Sequence, residues 1–224
     1  MKLFTSQMSS SARRVNLTVA HLGIQIDQKL VDLRKQVERA ELAVVNPNNK
    51  VPALADPASG LALWESHAIM QYLCDRNPDQ ATELYPADVV VRADINRWMF
   101  WVNAHLGPAI GPINYEKMWK KFVEGPDARP DPTLIERHER FLHQVMVVLD
   151  KHLENRTWVV GKTLTLADYS IVATLMYRAP TQLPLDAYQH VLAYVARVEA
   201  TPAWKATEPA SWFGEVTSRK VKMS

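Results

Sequence analysis

Asn46–Ile69 reads NPNNKVPALADPASGLALWESHAI. Asn46, Pro47 and the two asparagines that follow are turn formers. Val51–Ala55 and Leu61–Trp64 are short apolar runs on either side of Asp56–Gly60, which predicts two strands joined by a tight turn. Pro52 cannot donate to a sheet ladder, so its strand lies at an edge or follows a cis Val51-Pro52 bond. A cis bond would turn the N–H and C=O of Val51 toward a ligand, which could pair with them as an added strand does. A trans proline that merely opens a strand is the other reading. Ser66–Arg76 then predicts a helix, with Ile69 and Leu73 in register and Asn77-Pro78 ending it. Ser66 suits the N-cap. The free N–H groups and positive dipole end there suit a carboxylate, and Glu65 beside them could accept from an ammonium group. Together they fit an α-amino acid; a plain cap with a solvated glutamate is the alternative.

Upstream, Lys2–Ser6 predicts a strand and Ser10–Leu22 a helix with Val15, Val19 and Leu22 on one face and Gly23 as its stop. Gln28–Asp32 predicts a second strand and Glu38–Val44 a short helix. A helix between the first two strands implies a parallel pair with a right-handed crossover. Residues 1–78 therefore read as an α/β domain and 79–87 as a linker. From 88 to 224 the pattern is all-helical. Asp88–Leu106 is a long helix, interrupted by GPAIGPINY because Pro108 and Pro112 each remove a donor. Pro132–Leu153, Leu166–Arg178 and Tyr188–Ala200 follow. In Thr163–Asp168, Thr165 and Asp168 make a capping-box pair, read as a folding element.

The chain has 224 residues, 47% hydrophobic and 22% charged, with a formal net charge of +2. That balance gives no global pull toward nucleic acid or an anionic membrane. SRKVK near the C-terminus is the densest basic patch and reads as a solvated tail. No run approaches the ~20 apolar residues of a membrane span. Cys74 is the single cysteine, which excludes an internal disulfide and fits a reducing cytoplasm. The seven histidines include no HExxH pattern, so no metal is expected. There is no G-x-S-x-G elbow and no Gly-rich phosphate loop.

The segment TSQMSSSARRV (Thr5–Val15) raises a separate question. Ser9 or Ser10 can cap the first helix. The helix N-terminus would also stabilise a nearby thiolate, whose pKa falls in such a place. A serine there could activate a bound thiol without being a nucleophile.

The order and spacing of SSSARRV, NPNNKVPAL, LWESHAI, GKTLTLADYSIVA and ATPAWKA resemble the cytosolic glutathione transferases over nearly the whole chain, in particular serine-type, theta-like bacterial members. The resemblance implies a thioredoxin-like N-terminal domain, a cis Val51-Pro52 bond, an all-helical C-terminal domain and a cytoplasmic homodimer. It implies that Lys50, Val51 and Pro52 hold the glycyl and cysteinyl part of glutathione, and that Glu65 and Ser66 hold its γ-glutamyl end. Counting back from Arg13 and Val15 puts the thiolate-binding serine at Ser9, with Ser10 as the alternate. It implies catalysed attack of glutathione on a small hydrophobic electrophile. A glutathione-dependent dehalogenase or isomerase, or a non-catalytic binding or regulatory protein of the same fold, are the rival readings. The second helix lacks the histidine that serine-type relatives often place there; Val37 stands nearest, and Arg34, Lys35 or Arg39 could substitute on the glycyl carboxylate. A second-substrate pocket is expected between the domains, from Met8, Trp101, His105, Tyr115 and Trp119, with Phe122 nearby.

Overall fold

The computed structural model describes residues 1–32 and 35–208. Arg34 and the SRKVK patch lie outside the described residues. Strand β1 (Lys2–Thr5) leads through helix α1 (Ser10–Leu22) to β2 (Asp27–Leu30), and β1 and β2 are parallel, as the crossover requires. Helix α2 (Gln36–Val45) precedes β3 (Ala53–Asp56) and β4 (Leu61–Trp64), which form an antiparallel pair before helix α3 (Ser66–Arg76). The sheet order is β2-β1-β3-β4, with β1 and β3 antiparallel. The second strand stops at Leu30 rather than Asp32, although the Val31 N–H still donates to the Thr5 carbonyl at 2.8 Å. The third begins at Ala53, after a cis Val51-Pro52 bond; a proline has no N–H to offer a ladder.

The sheet has a core on each face. Leu3 and Leu54 pack with Val15, Ile69 and Leu73 of α1 and α3, and this core continues without a break into the helical half through Trp98, Leu142, Tyr169, Tyr194 and Trp204. Phe4, Ala12, Val31, Leu42, Val51 and Ala53 form a smaller cluster beneath α2. Lys2 of β1 and Lys29 of β2 both pair with Glu41 of α2, tying that helix over the exposed edge. The segment between the halves is pinned rather than loose: Ala81, Leu84 and Tyr85 are buried, and the Leu84 carbonyl accepts from the Leu166 N–H at 3.0 Å.

The helical half corrects one expectation. GPAIGPINY does not interrupt the helix. Helix α4 (Val89–Trp101) passes through a π turn (Val102–Leu106) into α5 (Gly107–Asn114), then through a second π turn (Tyr115–Trp119) into α6 (Lys120–Glu124). The junction residues Val102, Gly107 and Tyr115 all keep right-handed helical backbone. In the first turn the Gly107 N–H reaches back to the Val102 carbonyl, five residues away. That longer hydrogen-bond step, just before Pro108, carries the rod past the missing donor where an α-turn would meet the proline ring. Helix α7 (Pro132–Leu153) matches the sequence reading. Helix α8 (Leu166–Thr174) ends four residues earlier than expected. Its last residue, Thr174, donates back to the Ser170 carbonyl at 2.8 Å, a side-chain bond that competes with helix propagation. Helices α9 (Gln189–Glu199) and α10 (Pro202–Ala206) complete the described chain.

Asp168 is fully buried at the start of α8. Its carboxylate accepts from the Thr165 N–H at 2.7 Å, the Thr165 hydroxyl at 3.0 Å, the Val159 N–H at 3.0 Å and the Tyr194 hydroxyl at 2.9 Å. Burial pushes its pKa up to about 6 against the pull of those donors. The local pair read from sequence is thus also a tie between three segments. Asp168→Ala strands buried donors and should lower the unfolding free energy by about 3 kcal/mol. Urea denaturation reads this as a lower midpoint at unchanged slope; an unmoved midpoint would contradict the assignment.

Candidate functional site

The strand register decides which loops meet. Phe4 pairs with Ala53, so the C-terminal end of β1 lies beside the N-terminal end of β3. Ala53 also pairs with Trp64, so β4 ends at the same place. The Ser6–Ser9 loop after β1, Val51-Pro52 before β3 and Glu65-Ser66 after β4 therefore all emerge at one end of the sheet. Four of the candidate positions, Ser9, Val51, Glu65 and Ser66, come together by topology alone.

Ser9 is the N-cap of α1; its Oγ accepts from the Ala12 N–H at 3.1 Å. Ser10 is the first helical residue. A hydroxyl has one hydrogen and two lone pairs, so capping leaves the Ser9 hydrogen free to donate. No acidic residue lies in the first turn of α1, so nothing there offsets the positive end of the helix. The loop is braced from the helical half by the Tyr177 hydroxyl, which donates to the Met8 carbonyl.

Lys50 is exposed, and its carbonyl accepts from Asn46 Nδ2 at 2.6 Å. Asn46 Oδ1 accepts from the Asn48 N–H at 3.0 Å. Asn46 thus ties the NPNNK turn to itself and delivers the chain into Val51-Pro52. Val51 lies two residues before β3, outside the strand register.

Glu65, not Ser66, takes the N-cap position of α3, and it does so with φ 72° and ψ 110°, without a side-chain cap bond. A non-glycine residue at positive φ is uncommon, and such strain tends to gather at functional sites. Glu65 is exposed while Ser66 is buried. Ser66 does not take the capping role expected of it because it is already the first helical residue; its hydroxyl meets Arg14 instead, whose Nη1 donates to it at 3.4 Å.

Arg14 was not singled out from sequence, yet it centres the buried network. The same Nη1 lies 2.7 Å from His67 Nε2, and Nη2 donates to Thr174 Oγ1 at 2.8 Å. An arginine only donates, so Nε2 of His67 carries the lone pair and the proton sits on Nδ1. Ser170 Oγ lies 2.5 Å from the same Nε2. Burial, then the Arg14 charge, push the His67 pKa down to about 2; burial lowers Arg14 to about 10, so it stays charged. The sequence did carry a signal: Arg14 shares a face with Thr18 and Leu22, one row from the apolar Val15 and Val19. Its neighbour Arg13 is also buried and stacks on Trp204, 3.9 Å from the ring centroid.

The residues expected to line a second-substrate pocket make the following contacts. Met8 and Trp119 are linked through Tyr177, whose ring meets Trp119 edge-on at 5.4 Å; Trp119 also contacts Phe122. Trp101 and His105 contact one another, and Trp101 meets Trp98 edge-on at 5.1 Å. Among the described residues no ring contact joins these two groups. Tyr115 lines an apolar groove of about 650 Å³ between α5 and α7, with Pro108, Pro112, Leu134 and His138. On the second helix, Val37 is exposed, Lys35 pairs with Glu38 at 3.1 Å and Arg39 is exposed. Burial pushes the Cys74 thiol up to about 12, an inert state. No described helix is long and apolar enough to cross a membrane, and no group of three or more metal-ligating side chains stands together among the described residues.

The neutral His67 has a thermodynamic consequence. The unfolded chain protonates this histidine below about pH 6.5, whereas the folded chain does not until about pH 2. Its contribution to stability is full above pH 6.5 and is lost as pH falls. Between pH 7 and pH 5 the parent chain should lose about 2 kcal/mol more unfolding free energy than His67→Gln. Denaturation at the two pH values checks this; equal losses would place the histidine in contact with water.

Two family models match the chain: the glutathione S-transferase N-terminal domain over residues 1–75 and the glutathione S-transferase C-terminal domain over residues 110–202. Glutathione S-transferase 3 of Zea mays is 27% identical, over 94% of this chain and 94% of that protein. A delta-class glutathione transferase of Nilaparvata lugens is 29% identical, with TM-score 0.81 over 97% of this chain and 98% of that one. A structure of glutathione S-transferase-I bound with lactoylglutathione is 25% identical, with TM-score 0.80 over 92% and 97%. The thioredoxin-like sheet, the helical half continuous with it and the matches to both domain models agree: this chain belongs to the glutathione S-transferase family.

Proposed function

We propose that the chain is a glutathione transferase that activates the glutathione thiol for attack on a small hydrophobic electrophile. The observation that carries this reading is the convergence of the Ser9 helix end, the Val51-Pro52 segment and Glu65-Ser66 at one end of the sheet. Glutathione laid along that end would meet Val51 with its cysteinyl amide, in the manner of an added strand. Its γ-glutamyl ammonium would meet Glu65 and its carboxylate the start of α3. Among the described residues, Lys50 and Arg39 are exposed cations that would suit the glycyl carboxylate, and Lys35 and Arg34 stay candidates beside them. The bound lactoylglutathione of the family structure supports a glutathione-type ligand.

The sulfur would lie at the start of α1. Ser9 would donate its free hydrogen to the thiolate while its lone pair keeps the helix capped, so one residue does both jobs. The thiol proton leaves to solvent, because a neutral hydroxyl is no base near neutral pH. The chemical contribution is a lowered thiol pKa and the holding together of two reactants. Met8 and Trp119, joined through Tyr177, offer an apolar wall beside the loop that carries Ser9. The chain would work in the cytoplasm as a homodimer. Val89 and Phe100, exposed on α4 about three turns apart on one face, support a second copy there.

Ultraviolet absorbance of bound glutathione across pH should show a thiol pKa well below its free value. Ser9→Ala should lower turnover with a reactive aromatic electrophile by about tenfold or more while leaving glutathione affinity little changed. Unchanged turnover with Ser10→Ala impaired would move the role one residue along. Binding without a thiol shift would favour the non-catalytic reading.

A further inference from the structure

Where α7 ends, a cavity of about 530 Å³ is lined by Lys151, Arg156 and Lys162, with Glu154 as its one carboxylate. Among the described residues none of these three cations has an ion pair or a side-chain hydrogen bond. The negative end of a helix accounts for Lys151, which lies in the last turn of α7. It does not account for Arg156 and Lys162, which lie beyond Leu153, the last helical residue. Asn155 and Thr157 add an amide and a hydroxyl to the lining, also without side-chain partners among the described residues.

The wall behind these groups is held in place. His152 donates from Nε2 to the Val159 carbonyl at 2.7 Å and packs on Trp98, with ring centroids 4.6 Å apart. The Val159 N–H is in turn a donor to buried Asp168. Arg197 Nη1 donates to the Thr157 carbonyl at 2.8 Å. Gly161, at φ 62°, lines the cavity with bare backbone, and nothing stands within 4 Å of where a Cβ would lie. A site formed in advance costs less ordering when it is filled.

We propose that this cavity binds a small phosphate monoester with a hydroxylated body, of the sugar phosphate class. Three cations against one carboxylate leave two positive charges unanswered, and a phosphate monoester brings a charge of about −1.5 to −2 at neutral pH. A carboxylate would answer only one. Arg156 supplies the planar fork that matches phosphate oxygens. Glu154, Asn155 and Thr157 are then left for the hydroxyls of the body. Inorganic phosphate would use the cations and leave these groups to water. The cavity shares no residue with the Ser9, Val51 and Glu65 end of the sheet, so this inference does not depend on glutathione being a ligand.

Calorimetric titration of the full chain with ribose 5-phosphate, ribose and inorganic phosphate tests it. Ribose 5-phosphate should bind with a dissociation constant of about 1 mM or lower, at least about fivefold tighter than either of the others. Arg156→Gln and Lys162→Gln should each weaken it by about fivefold. Both side chains are exposed, so neither change threatens the fold. Arg129→Gln is the control. Arg129 precedes Pro132, at the opposite end of the 22-residue helix α7, roughly 30 Å away. That variant should alter the affinity by less than about twofold. Saturating glutathione should leave the ribose 5-phosphate constant unchanged. No binding of ribose 5-phosphate at about 10 mM, equal affinity for ribose or inorganic phosphate, or equal response of the three variants would each overturn the proposal. Competition by glutathione would place the phosphate at the other site and overturn it as well.

Discussion

The guanidinium of Arg14 sits where α1, α3 and α8 meet, and the relative placement of those helices depends on its hydrogen bonds. It reaches Ser66 and His67 at the start of α3 and Thr174 at the end of α8. Moving such an ion from water costs several kcal/mol, so it persists only while its partners hold still. His67 meets that condition by staying neutral against the Ser170 hydroxyl, and Thr174 by donating to the Ser170 carbonyl one helix turn back. Helix α1 is consequently a fixed rod. The position of Ser9 at its tip relative to Ser66 is set by packing rather than by the loop that carries it.

The sheet supplies the other coordinate. Ser9, Val51 and Glu65 are distant in sequence, yet all follow or precede residues of a single pairing triplet, Phe4, Ala53 and Trp64. A slip of one residue would turn the Leu3 and Leu54 side chains out of the core, so the apolar pattern that fixes the register also fixes the site. Positive φ at Glu65 then turns the chain from β4 into α3 without an intervening loop. That abrupt turn keeps the carboxylate of Glu65 exposed at the mouth while Ser66 goes beneath it.

How much of this could be read from the residues depended on how local each cause was. Helices Ser10–Leu22, Ser66–Arg76 and Pro132–Leu153 have residue-local starts and stops, and their bounds were legible. The parallel first pair followed from chain topology, and the Thr165–Asp168 pair from spacing. The continuous rod through Pro108 and Pro112 was not legible, because a π turn can absorb a proline and propensity cannot foresee it. Nor was the division of labour between Glu65 and Ser66, whose hydroxyl meets an arginine more than fifty residues away. Which neighbours the aromatic residues around the long helix meet was not legible either, because spacing along a rod says little about which side faces a neighbour.

Helix α1 carries two buried arginines in succession, neither in contact with a carboxylate among the described residues, and this bears on why a serine could suffice. Arg13 is held by the face of Trp204, a ring quadrupole that leaves the charge in place. Arg14 is held by neutral acceptors. The first turn has no acidic residue. The helix end therefore sits in a positive field made of its own dipole and two formal charges, opposed only at a distance by Glu199 and Glu208 for Arg13 and by Glu65 for Arg14 among the described residues. On the transferase reading, the work of lowering a thiol pKa is already shared among these groups before any donor touches the sulfur. A hydroxyl then needs only to give direction to the thiolate and one hydrogen bond, which a serine can do while still capping the helix. A tyrosine at the same position would reach past the Ala12 N–H, and a cysteine would offer it only a weak sulfur acceptor, whereas the Ser9 oxygen accepts it at 3.1 Å.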